Sequence, residues 1–136
     1  MRVLQIHCTS FSYTIRKSTS VAESPEPNCE KLQNVLVCFI CFEKKDEERV
    51  AHLVEKFVES LCKDVSRIKS ERILLYPHAH LSKELGSPTI AKAFFNKLKQ
   101  RLSVENIMVH KSPFGWYKTF QLECIGHPLA EAYREF

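Results

Sequence analysis

Eight consecutive residues, Val35-Leu36-Val37-Cys38-Phe39-Ile40-Cys41-Phe42, are apolar and contain no turn former. A helix needs about 20 such residues to span a bilayer, so this run is too short for one. An unbroken apolar stretch of this length reads as a strand covered on both faces. A strand over 34–43 therefore needs chain packed above and below it. That requirement points to a sheet combined with helices. Cys38 and Cys41 have CxxC spacing, but residues three apart on a strand face opposite ways. They read as buried core thiols rather than a redox or zinc pair.

The helices announce themselves by a different period. Val50, Leu53, Val54, Phe57, Val58, Leu61, Cys62, Val65 and Ile68 recur at three- and four-residue intervals, one face of a helix. Asp46, Glu47 and Glu48 precede it and Arg67 and Lys69 close it, as the helix dipole favours. Ser87-Pro88 reads as an N-cap followed by proline at the first helical position, opening a second helix to about Leu102. Ile90, Ala91, Phe94, Phe95 and Leu98 form its apolar face.

Shorter patterns fill the rest. Residues 3–7 and 11–16 read as two N-terminal strands, 17–33 as a long irregular loop with Pro25 and Pro27, and 73–76 as a strand stopped by Pro77. Segments 105–110 and 117–125 read as further strands, and 128–134 as a short closing helix. The expected fold class is α/β: a single domain over 1–136 with a mixed sheet and two main helices. A length of 136 residues with 44% hydrophobic and 26% charged content fits one folded domain and excludes whole-chain disorder. No signal peptide or membrane helix is evident, so reduced thiols are expected for the six cysteines. Three glycines are too few for a Gly-rich phosphate loop.

Four stretches could carry chemistry. Tyr76-Pro77-His78-Ala79-His80-Leu81-Ser82 follows a buried strand, where α/β sheets commonly bind ligands. His78 and His80 could share a face and hold zinc, but the spacing supplies no third ligand, so no metal site is expected. Pro113-Phe114-Gly115-Trp116-Tyr117-Lys118 is a turn entering a strand. There Lys118 shares parity with Phe120, Leu122 and Cys124, so it either opens into a polar pocket or snorkels to water. From Lys83 to Lys118, seven basic residues face two acidic ones, a net of +5. That is a solvated helix face or a phosphate-contacting surface. Gly126-His127-Pro128 marks a strand-to-helix turn, which places Glu131 in a first helical turn. There it is a dipole-favoured surface acid or an anchor for an ammonium group. No Ser-His-Asp or Cys-His order can be defended as a nucleophile set.

Together the runs Tyr76-Pro-x-Ala79-His80-Leu81-Ser82, Pro113-Phe114-Gly115-x-Tyr117-Lys118 and Gly126-His127-Pro128-Leu129-Ala130-Glu131 resemble the N-terminal editing domain of archaeal threonyl-tRNA synthetases. The opening Met1-Arg2-Val3-Leu4-x-Ile6-His7 is similar too. The resemblance spans essentially the whole chain. It implies a fold like that of D-aminoacyl-tRNA deacylases and a cytoplasmic homodimer without cofactor or metal. The implied partners are the 3′ end of tRNA(Thr) carrying serine and the remainder of the synthetase, with no membrane. The implied reaction is hydrolysis of the serine ester, with the terminal ribose 2′-OH assisting water.

Carried onto this sequence, the resemblance assigns Lys118, Tyr117 and His80 to the reacting ester. It places Pro77, Ala79, Phe114, Gly115, Trp116 and Phe42 in the amino-acid pocket, and Glu131 near the substrate's ammonium. His78 and Trp116 depart from the aromatic residues expected at their positions. A general D-aminoacyl-tRNA deacylase and a non-catalytic tRNA-binding module remain the alternatives.

Overall fold

The computed structural model describes residues 1–136. It has six strands: β1 (Arg2–Ser18), β2 (Cys29–Cys41), β3 (Arg72–Pro77), β4 (Met108–Lys111), β5 (Trp116–Cys124) and β6 (Glu131–Glu135). Two helices, α1 (Val50–Ile68) and α2 (Pro88–Leu102), lie where the apolar periodicity predicts them. The sheet runs β4-β3-β2-β1-β5, with β6 also on β1. The β2–β3 and β3–β4 pairs are parallel, and β1 is antiparallel to its three neighbours, so the sheet is mixed as expected. No helix is long and apolar enough to cross a membrane.

The apolar run of β2 is buried on both faces. Leu36, Cys38, Ile40 and Phe42 join the core against the helices, with Phe57, Leu61, Phe94 and Leu98. Val35, Val37 and Phe39 join a second cluster on the other face, with Cys8, Phe11, Tyr13 and Tyr76. Cys38 and Cys41 are buried free thiols, and all six cysteines are unpaired. Lys69 closes α1 in the left-handed region, and Pro88 begins α2. Ser87 occupies the N-cap position, but its hydroxyl makes no cap bond. Its backbone N–H instead donates to Glu47 Oε1 at 2.7 Å.

Three expectations need correction. The two N-terminal strands are one. Their alternations differ in phase because β1 carries an extra residue, Thr9, against β5, while Asn34 of β2, in register with it, takes a φ of 45°. That irregularity lets both Cys8 and Phe11 face the second cluster. The long loop shrinks accordingly, because β1 and β2 pair out to Thr14–Cys29.

The closing helix over 128–134 is instead a turn followed by β6. His127 Nδ1 accepts the Leu129 N–H at 3.1 Å, and His127 Nε2 lies 2.8 Å from Nδ1 of buried His7, which pins the turn to β1. Residues 131–135 then pair with the half of β1 that β5 leaves uncovered, Ile6 opposite Glu131 and Arg2 opposite Glu135. An open edge of β1 outweighs the local helix signal.

Candidate active site

The carboxyl ends of β2 and β3 stop beside the turn that enters β5, and a cleft of about 560 Å³ opens between them. Phe120 of β5 packs tilted against Phe39 at 5.6 Å and edge-on against Tyr76 at 5.9 Å, which brings β5 close to the end of β3. Phe42 forms part of the buried floor, packed on Phe94 at 5.2 Å. Pro77, Ala79 and His80 line one side, and Phe114, Gly115, Trp116, Tyr117 and Lys118 the other. Nine of the ten residues singled out from sequence therefore meet in one cleft.

Glu131 is the tenth, and the structure does not bring it there. It sits on β6 opposite Ile6 and borders a separate small hollow of about 60 Å³ with Gln5, Asp64 and Arg134. Its expected place in a helical first turn went with the helix itself.

The charge in the cleft is concentrated on Lys118. Its Nζ lies 4.8 Å above the Tyr76 ring and donates to the Trp116 carbonyl at 3.4 Å. Burial pulls its pKa down from 10.5 to about 8; the Glu23 carboxylate opposes that shift and the Lys111 ammonium adds to it. The side chain thus enters the pocket instead of snorkelling to water. His78 packs on Phe39 at 5.3 Å and on His80 at 5.2 Å. Burial holds His78 below its ordinary pKa, helped by His80 and Lys118, which favours its neutral form. His80 itself is exposed on the 3₁₀ turn Ala79–Leu81, and Tyr117 is exposed at the rim.

Candidate nucleophiles are disarmed. Cys41 lines the cleft, but burial raises its thiol pKa, and Sγ points to the Ala79 carbonyl at 3.6 Å. Only the thiolate is a good nucleophile, so Cys41 is a poor one. Burial pushes the Tyr76 phenol up to about 12. The Thr19 hydroxyl is committed to the Gly115 carbonyl at 2.7 Å. No three His, Cys, Asp or Glu side chains converge to hold a metal ion.

Sequence reasoning missed the fourth wall. Thr19 and Val21, just beyond β1, also line the cleft, and Glu23 ties their segment to the 113–116 turn. The only sequence signal was an irregular stretch with no pattern of its own.

Comparison with known proteins places the whole chain in one family. The family described as the archaea-specific editing domain of threonyl-tRNA synthetase matches residues 1–136. The threonine–tRNA ligase of Methanococcus aeolicus is 36% identical over 135 residues, covering 99% of this chain and 21% of that protein. That of Pyrococcus horikoshii is 39% identical over 139 residues, covering 98% and 22%. The chain therefore spans about a fifth of the length of these curated relatives. Among solved structures, the c-Myc DNA Unwinding Element Binding Protein superposes with a TM-score of 0.69 over 100% of this chain and 99% of that one. Their sequences are 13% identical, so this likeness speaks to the fold alone. With every residue from 1 to 136 matched by the family and two of the three predicted motifs meeting at one cleft, the chain belongs to the family of archaea-specific editing domains of threonyl-tRNA synthetase.

Proposed function

We propose that this domain proofreads tRNA(Thr) in the cytoplasm by hydrolysing L-serine from its 3′ end, as part of a threonyl-tRNA synthetase. The observation that carries the reading is the cleft itself, with a half-buried ammonium and no competent nucleophile. Ester hydrolysis there falls to water. The terminal ribose 2′-OH, adjacent to a 3′-ester, assists that water, and the domain supplies orientation and charge. Lys118 polarises or orients the reacting groups, with His80 and Tyr117 beside it. Pro77, Ala79, Phe42 and the Phe114–Trp116 turn enclose the amino acid. Threonine is serine plus a methyl, so a filled pocket excludes the cognate residue by overlap. An editing site requires discrimination in that direction.

The domain acts as a homodimer in this reading. Both helices pack on one face of the sheet. On the other, Phe120, Leu122 and Tyr133 are 44%, 37% and 54% exposed, an apolar surface continuous with the second cluster. A second copy on that face would bury it. Glu131 lies outside its own cleft, so its role at the substrate's ammonium is one it serves across that interface.

The test is a deacylation panel on tRNA(Thr) charged with L-serine, L-threonine or a D-amino acid. Release of L-serine but not L-threonine is the expected result. Release only of D-amino acids, from many tRNAs, would make the domain a general deacylase. Binding without release would leave a tRNA-binding module.

A further inference from the structure

The best-connected residue at the cleft is one that neither the motifs nor the lining names. Glu23 follows β1 and makes four bonds to the opposite wall. Its carboxylate accepts the Phe114 N–H at 2.6 Å and holds the Lys111 ammonium through the same oxygen. Its backbone N–H donates to the Phe114 carbonyl at 3.1 Å. Its carbonyl accepts the Trp116 indole N–H at 2.9 Å. The Glu23–Lys111 pair is shielded, with side chains 21% and 12% exposed. Four residues earlier, the Thr19 N–H and hydroxyl both reach the Gly115 carbonyl, at 2.9 and 2.7 Å. Segment 19–23 thus clasps the 113–116 turn from end to end.

We propose that Glu23 is a positioning residue for the editing reaction: it locks the Phe114–Trp116 wall of the pocket in place and presents a carboxylate to the field around Lys118. The inference rests on the hydrolytic reading of the cleft. An exposed segment of ten residues between two strands would ordinarily fray. A charged acceptor shared by a backbone N–H and a lysine prevents that, because charge-assisted bonds are the strong ones. The Lys118 ammonium lies over Tyr76 of β3, and the charges that act on it are Glu23 from this segment, which favours the ammonium, and Lys111 from β4, which opposes it; His78, just beyond β3, in turn feels Lys118. Glu23 is the acid among them.

Trp116 is the protein's single tryptophan, so its fluorescence reports the clasp directly and without any tRNA. In Glu23→Ala, emission should shift to the red and acrylamide quenching should rise. Single-turnover release of serine should fall by about 10²-fold, the scale of a misplaced pocket wall, with KM changed far less than kcat. Glu23→Gln keeps an oxygen for the Phe114 N–H, so its emission should stay at the wild-type value. Its alkaline loss of activity should move to lower pH, because the carboxylate that favours the Lys118 ammonium is gone.

Wild-type emission and quenching in Glu23→Ala would overturn the proposal, and so would altered emission with an unchanged kcat. A wild-type pH profile in Glu23→Gln would overturn the electrostatic half. Loss of cooperative unfolding in both variants would make Glu23 a general fold residue, which also overturns it. If the wild-type protein releases no serine, the hydrolytic reading fails, while the Trp116 readout still decides whether Glu23 holds the turn.

Discussion

The ammonium of Lys118 sits 4.8 Å above the ring of Tyr76, with the Trp116 carbonyl as its hydrogen-bond acceptor. A cation over an aromatic face keeps its charge while losing water, and burial draws its pKa to about 8. Lys118→Met should therefore lower kcat by about 10²–10³-fold, the scale of one lost electrostatic contact in a site. It should leave the fold intact, since methionine keeps the stem's volume. The sign of the pH dependence follows from the same group. Raising pH through about 8 removes the ammonium, so enzymatic release should decline above that pH after the uncatalysed ester hydrolysis is subtracted. A rate in the folded Met variant equal to wild type would return Lys118 to a packing role.

Gly115→Ala should damage the pocket more than Gly126→Ala, although both glycines have a φ of 76°. The left-handed backbone alone costs a side chain about 1–2 kcal/mol. At Gly115 an added Cβ would also come within 2.7 Å of the Ala22 backbone, whereas at Gly126 it meets nothing within 4 Å. The clasp between segments 19–23 and 113–116 has no room to shift. Thermal melts and serine release on the two variants should separate them: Gly126→Ala loses some stability, and Gly115→Ala loses activity as well.

How far the sequence could be read follows from where each signal resides. α1 and α2 were legible because apolar periodicity, the basic residues closing α1 and the Pro88 start of α2 are local signals. β6 was not, because Glu131-Ala132-Tyr133-Arg134-Glu135 has no strand signal of its own. Its conformation is decided by the unpaired half of β1, more than a hundred residues away. The cleft residues 77–80 and 114–118 were legible as turns after strands. Glu23 was not, because its meaning lies in Lys111 and Phe114, some ninety residues downstream. Nothing in the stretch 17–33 distinguishes that carboxylate from its neighbours Glu26 and Glu30.

Glu43 should govern acid stability. It is buried, which by itself would raise its pKa, but the Ser82 hydroxyl at 2.8 Å, the Met1 ammonium at 3.1 Å and Lys45 at 3.2 Å outweigh burial. The result is a fall from 4.5 to about 2. A carboxylate depressed in the folded state stabilises fully above its unfolded pKa and loses that contribution as pH falls toward the folded one. Urea unfolding of the wild-type protein should therefore weaken progressively from about pH 4.5 to 2. Glu43→Gln should be less stable at neutral pH by on the order of 3 kcal/mol and should show a flatter acid limb.

Hydrolysis should survive chelation. His78 and His80 stack edge to face with centroids 5.2 Å apart, and no third ligating group joins them. Two imidazoles without a carboxylate or thiolate make a poor zinc site. Release of serine after treatment with a chelator should match the untreated rate. Abolition by the chelator and restoration by zinc would reverse this expectation.

Removing the terminal 2′-OH of the tRNA should cost more than removing any one side chain. The cleft holds a thiol whose pKa burial raises, a phenol with a pKa of about 12, His78 held below its ordinary pKa and one ammonium, none of them paired as nucleophile and base. An ester must still be cleaved, and the adjacent ribose hydroxyl lies within hydrogen-bond reach of the water that attacks a 3′-ester. His80→Ala and Lys118→Met should each retain measurable release. A 2′-deoxy terminal adenosine carrying serine at its 3′ position should be hydrolysed very poorly. Single-turnover assays on the two substrates make the comparison, with binding measured separately so that lost affinity is not read as lost chemistry. If the deoxy substrate is cleaved at close to the normal rate, a protein side chain activates the water. Exposed His80, at the cleft wall with no hydrogen bond to hold its ring, is then the first group to replace.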